Sequence, residues 1–290
     1  MNQLPKLLLS TRSLLGIGQV DSSISAPAFE RFQNPADMER VFDQAAEYGI
    51  KAVLSIGETA IMQPLRAVQQ RHGTLTYPII PNIPSYVREA GNYGLVGAGL
   101  RRLRRLGLLN LARLGSYHCS DVLKVLQRDF NTAMSIFFDV EMAEFRPLHP
   151  PAVFLDGQIT DLCVAFDNKE LLLRFAESMH DRYRTEPGLV THNLGFLVAK
   201  LQAWHVPIQL LIAPFNQQGF AMKPNPTTCE ALLQQGTFTF VADRISVGAR
   251  PCAATYAYLR AHGIRCAILD VTERADLELA HRLFLKDRED

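Results

Sequence analysis

The sequence carries almost no excess charge. Its 30 lysines and arginines stand against 29 aspartates and glutamates, a formal net charge of +1. So small a net charge gives no global field, and nucleic acid is not an expected partner. Long apolar runs are also missing. None reaches the roughly 20 residues that cross a bilayer, so no membrane span is predicted. The opening MNQLPKLLLSTRS has a short apolar stretch with no small-residue cleavage site after it, and does not read as a signal peptide. Cysteines are few: Cys119, Cys163, Cys229, Cys252 and Cys266. None is paired as CxxC, which removes zinc knuckles and thioredoxin-like redox motifs. Thiols in odd number without a secretion signal fit a reducing compartment, and a cytoplasmic location is the expectation. HxH and HExxH are absent too, so no metal site declares itself by spacing.

What is present is an ordinary globular mixture, 48% hydrophobic and 20% charged. Eight short apolar runs recur, at residues 6–11, 51–56, 76–81, 152–155, 188–191, 208–213, 238–242 and 266–269. Near-continuous runs of this length suit strands buried on both faces. Helical periodicity separates them, over 35–48, 62–71, 169–184, 196–204, 227–235, 251–262 and 274–284. In the first of these, Met38, Val41, Phe42 and Ala45 fall at helical spacing behind an Asn34 cap and Pro35, and Gly49 stops the turn. Alternation of strand and helix predicts an α/β fold, and eight units close most naturally as a (β/α)8 TIM barrel. Residues 1–290 read as one barrel domain, with 83–150 a helical insertion between strands 3 and 4. Within it, 120–145 reads as one long helix, in which MSIFFDV (134–140) continues the helical period rather than forming a strand.

Barrels of this kind work at the C-terminal ends of their strands, and a polar group follows every apolar run here. His192 follows strand 5 and is suited to acid or base work. Glu58 after strand 2 and Asp156 after strand 4 are its candidate partners, giving a catalytic set of His192, Glu58 and Asp156. The alternative for each is a scaffold bond or a turn cap. Candidate substrate-binding residues are Arg12, Asn82, Asn193, Asn216, Asp243, Arg244 and Arg250, the guanidiniums because they grip anions in bidentate fashion. Gly248, in SVGAR, and Thr272 with Glu273 lie where barrels often hold phosphate, and are the candidate cofactor positions. His192, Asp156, Glu58 and Asp243 are suitable metal donors by type. The run LRRLRRLGLLNLARL (100–114) is basic and amphipathic. It reads either as a helix with one packed and one solvated face or as a contact for a protein or membrane surface.

GETA (57–60) resembles the DTA element of aldo-keto reductases, and DVTERADLELAHRLF (270–284) resembles that family's closing strand and helix. More closely, STRSLLGIGQ (10–19), DGQITD (156–161), PGLVTHN (187–193) and APFNQQGFAMKPN (213–225) are similar to a little-characterised group of aldo-keto reductase-like barrels from prokaryotes. The resemblance implies the barrel. It does not carry the family's Asp, Tyr, Lys and His tetrad. Glu58 stands at the aspartate position and Gln63 at the tyrosine position. Pro81 and Asn82 replace the lysine, and Asp156 replaces the histidine. Glutamine is no general acid, and Asp270 stands where the family prefers glycine beside cofactor phosphate. Ordinary carbonyl reduction is therefore not expected. Three readings follow. The first is an acid–base enzyme for a small polar or anionic molecule, a lyase, isomerase or hydrolase. The second is a divergent NAD(P)H-dependent oxidoreductase. The third is a non-catalytic barrel that binds a ligand or partner. No cofactor is favoured, with NADPH and a divalent metal both left open.

Overall fold

The computed structural model describes residues 4–16, 30–118 and 129–286. Eight parallel strands close into a barrel in chain order, β1 pairing with both β2 and β8. They are β1 (Leu7–Ser10), β2 (Ala52–Ile56), β3 (Leu75–Ile80), β4 (Ala152–Leu155), β5 (Glu186–Val190), β6 (Leu210–Pro214), β7 (Thr239–Asp243) and β8 (Ala267–Leu269). Each lies within two residues of its apolar run. The fold is the α/β, (β/α)8 barrel expected from the alternation.

Period-2 alternation divides each strand between two cores. Leu8, Leu54, Tyr77, Ile79, Phe154, Val190, Ile212, Val241 and Ile268 form one buried cluster, filling the barrel. Their neighbours Leu7, Leu9, Val53, Val153, Leu155, Leu189, Leu211 and Leu269 join the larger cluster under the helices. Both strand faces are largely dry, which is why the runs read as near-continuous apolar stretches. Gly188 makes room inside: a β-carbon there would stand 2.5 Å from the ring of Phe154, its register partner on β4.

The helices around the barrel are α1 (Pro35–Glu47), α2 (Thr59–His72), α6 (Gly157–Ala165), α7 (Lys169–Glu177), α8 (Leu194–Trp204), α9 (Pro226–Gln234), α10 (Ala253–Ala261) and α11 (Arg274–Ala280). Asn34 caps α1 by accepting from the Ala36 amide at 3.1 Å, and Gly49 takes the left-handed conformation beyond its end. Helix α6 was not anticipated. It begins because Asp156 accepts from the Gln158 amide at 2.9 Å. Beyond α7 the chain widens into a π-type turn, Ser178–Tyr183, rather than continuing one α-helix to 184.

The insertion between β3 and β4 is helical: α3 (Ile83–Arg105), broken at Gly94, then α4 (Leu108–His118) and α5 (Phe130–Phe145). The single helix expected over 120–145 is corrected to one that starts at Phe130. Asp129 caps it, accepting from the amides of Asn131 at 3.0 Å and Thr132 at 3.4 Å. Residues 119–128, with Cys119, lie outside the described residues, as do residues 17–19 of the STRSLLGIGQ motif. MSIFFDV is helical, as the periodicity indicated. Among the described residues no helix is long and apolar enough to cross a membrane.

Candidate active site at the barrel mouth

His192 stands just past β5, and its partner comes from the unanticipated helix. Asp161, one turn into α6, accepts from the His192 backbone amide at 3.1 Å and contacts Nδ1 of its ring at 3.0 Å. Thr191 donates to the other Asp161 oxygen at 2.5 Å and accepts from the Asn193 amide at 2.9 Å. The carboxylate is therefore fixed from two sides, and it fixes the imidazole. Nδ1 carries the proton in that pairing, leaving Nε2 with a free lone pair. The His192 side chain is 43% exposed, so the ring is anchored at one edge and open to solvent elsewhere. Space for this comes from Gly157. A β-carbon there would lie 2.9 Å from the ring carbon between the two nitrogens. Asp156 is close enough for His192 to favour its ionised form, but burial dominates and pushes its carboxyl above the usual range.

On the opposite side of the mouth, Arg12 is not open to an anion. Its guanidinium makes a bidentate pair with Asp243, including a 2.9 Å bond from one terminal nitrogen. A further 2.8 Å bond runs to Asp270, and Nε reaches Ser10 at 3.1 Å. Burial alone would lower the guanidinium's pKa, but Asp243 and Asp270 hold it above its ordinary value. Asp243 stays ionised for the same reason: burial opposes its charge, and Arg12 overrides that. The trio ties the end of β1 to the ends of β7 and β8.

Glu58 belongs to a third cluster. It accepts from Arg88 at 2.8 Å and from Asn82 at 3.2 Å, and the structure does not bring it to His192. The reason is topological, since β2 and β5 are three strands apart around the barrel. Asn82 is spent on scaffolding. It donates to the Gly57 carbonyl at 2.7 Å and caps α3 by accepting from the Ser85 amide at 3.1 Å. The insertion adds Glu141, which the sequence did not single out. Its carboxyl lies against Gly57, leaving no room there for a β-carbon. Burial raises Glu141 to about 7, against the pull of Arg102, which donates to it at 2.6 Å.

The other predicted positions scatter. Asn216 uses its amide on its own loop, donating to the Phe220 carbonyl at 3.0 Å and accepting from the Phe220 amide at 2.9 Å. Asn193 sits beside His192 with a buried side-chain oxygen that has no hydrogen-bond partner. Arg244 follows Asp243 in the left-handed conformation, and its side chain has no hydrogen-bond or ion-pair partner among the described residues. Arg250 is exposed and lies 3.6 Å from Asp276. Thr272 is half-buried, and Glu273 pairs with Arg31 at 3.0 Å near the surface. Gly248 has a positive φ of 67°, and no protein atom lies within 4 Å of where its β-carbon would stand.

These residues do not fit a dinucleotide phosphate. Asp270, Glu273 and Asp276 crowd the start of the short α11, and the two nearby arginines, Arg31 and Arg250, already pair with the last two of these carboxylates. Among the described residues no three histidine, cysteine, aspartate or glutamate side chains gather in a group that could hold a metal ion. The donors suggested by type are divided: Asp243 faces Arg12 and Glu58 faces Arg88.

No family model matches the chain, and no curated protein or solved structure matches it either. The barrel stands on its own geometry. The likeness to aldo-keto reductases has no support beyond the residues that suggested it.

Proposed function

We propose that this protein is an enzyme that moves a proton to or from a small polar molecule at the C-terminal mouth of its barrel. Lyase, isomerase and hydrolase chemistry fit this better than hydride transfer. The observation that carries the reading is the Asp161–His192 pair. An aspartate that clamps Nδ1 sets the tautomer and steadies the imidazolium formed when Nε2 takes a proton. His192 is then the base, and Asp161 and Thr191 are positioning residues. Asp156, with its raised carboxyl pKa, is the candidate second proton carrier. Asn193 beside His192 has a buried oxygen without a hydrogen-bond partner, and Arg244, after β7 on the other side of the mouth, is suited to an anionic group on the substrate. Glu58 and Arg12 do not enter the chemistry; each is held in a structural ion pair.

The test is turnover of a mixed pool of small metabolites in deuterated water, read by mass spectrometry, with wild type and His192→Gln side by side. The expected result is one compound whose mass or abundance changes with wild type. Its rate should fall roughly 10²- to 10⁴-fold in the variant, the usual share of a general base. Equal turnover by both proteins would refute the assignment. Saturable stabilisation by NADPH would favour the oxidoreductase reading instead.

A further inference from the structure

The run LRRLRRL splits its arginines between two faces of α3. Arg102 and Arg105, three residues apart, turn inward. Arg102 pairs with Glu89 at 3.0 Å and with Glu141 at 2.6 Å, and Arg105 reaches Glu89 at 3.3 Å. Leu106 is buried behind them. These contacts tie α3 to α5, whose Glu141 lies against Gly57 at the end of β2. Arg101 and Arg104, also three apart, are left on the outer side. Arg101 stacks on the exposed ring of Tyr93 at 4.2 Å. Arg104 and Arg113 have no acidic partner among the described residues.

Beside them the chain exposes apolar surface that a water-facing helix has no use for. Leu108 is 87% exposed and Leu109 75%. Together they open α4. From Ala90 to Ser120 the sequence contains five arginines and no aspartate or glutamate, although the whole chain is nearly neutral. An apolar crest flanked by unpaired cations, with no anion to repel a negative surface, matches the headgroup layer of an anionic bilayer in both polarity and charge. A protein partner of ordinary charge gives no reason for the complete exclusion of acidic residues.

The geometry points to a peripheral membrane-docking surface on the α3–α4 hairpin. Leu108 and Leu109 enter the acyl boundary, and Arg101, Arg104 and Arg113 meet anionic headgroups. Arg102 and Arg105 face the other way, toward Glu89 and Glu141. This surface is separate from the His192 site and does not depend on the reading given to that site.

Co-sedimentation of the full chain with vesicles tests it. Vesicles of phosphatidylglycerol mixed with phosphatidylcholine should bind the protein, and vesicles of phosphatidylcholine alone should bind it much more weakly. Each reversal of Arg104 or Arg113 to glutamate should weaken binding by roughly fivefold or more. Leu108→Asp with Leu109→Asp should abolish it, with the melting temperature unchanged because both positions are exposed. Raising the salt should weaken the wild-type interaction. Failure to bind anionic vesicles at low salt would overturn the proposal, as would binding that survives the double leucine change. A concentration-dependent dimer that the leucine changes dissolve, without vesicle binding, would assign the face to a second copy and equally overturn it.

Discussion

Two glycines set the positions of neighbouring rings, and both positions are testable. At Gly157 an added methyl group would press on the edge of His192. Gly157→Ala is expected to leave the barrel folded but to shift the imidazole off Asp161. Turnover by the proposed site should fall by about 10²-fold, the scale at which a displaced catalytic group loses rate. The same turnover assay checks it. Thiol chemistry offers a second check at this scale. Cys163, Cys229 and Cys266 are buried, and burial pushes each thiol up. Cys252 is exposed and is lowered by hydrogen bonds at the start of α10. Peptide mapping after brief alkylation should find Cys252 labelled well ahead of the other three. His192 was legible because it ends an apolar run. Asp161 was not, although it sits in a motif singled out for its likeness to other barrels. Its meaning depends on a partner 31 residues away, and that pairing exists only once α6 packs beside β5. Asn216 and Asn82 misled for a related reason: short amides at strand ends serve their own loops as readily as a ligand.

A buried charge network ties the elements of the insertion to one another beside the mouth, and its pH response has a definite sign. Burial lifts Glu141 to about 7, well above the unfolded value for a glutamate. The folded state therefore binds a proton that the unfolded state has already released. The stabilisation linked to that proton is complete below the unfolded pKa and is lost as pH rises through about 7. Urea unfolding of wild type should show stability falling between these limits, by at most about 1.4 kcal/mol per pH unit for one proton. Glu141→Gln, neutral at every pH, should remove most of that slope; an unchanged slope would place its source elsewhere. The sequence showed an Arg-rich amphipathic helix but not which arginines face inward. That division follows the three-residue spacing, yet the inward face is defined by partners such as Glu89 and Glu141, which the sequence does not place. Helix α6 escaped notice because it is short and apolar around much of its surface. Its one local signal is Asp156 before Gly157, which reads as a cap and as a candidate for chemistry alike.

At the scale of the whole molecule the barrel is closed chemically as well as by hydrogen bonding. Arg12 links the first strand to the last two through Asp243 and Asp270. Arg12→Met leaves Asp243 buried without its counter-charge and should cost about 3 kcal/mol or more in urea unfolding. Arg12→Met combined with Asp243→Leu should cost less than the single change, since no buried charge is then left alone. A double variant worse than the single one would contradict this account of the closure. Gly188→Ala, which drives a methyl group into the Phe154 ring inside the barrel, should destabilise by roughly 1–3 kcal/mol. The barrel itself was legible because strands with two dry faces write near-continuous apolar runs, and all eight appear in the sequence. The closure was not, because Arg12 and Asp243 read equally well as substrate-binding residues until their mutual distance is known.

The central claim is that an aspartate-clamped imidazole stands at the barrel mouth with Nε2 free to exchange a proton. Nitrogen-15 shifts of the His192 ring, recorded at alkaline pH in wild type and in Asp161→Asn, test it most directly. Protonation at Nδ1 in wild type, lost or weakened in the variant, is the predicted result. A ring protonated at Nε2 in both proteins would show that Asp161 does not set the tautomer, and the proposed base would have no lone pair to offer.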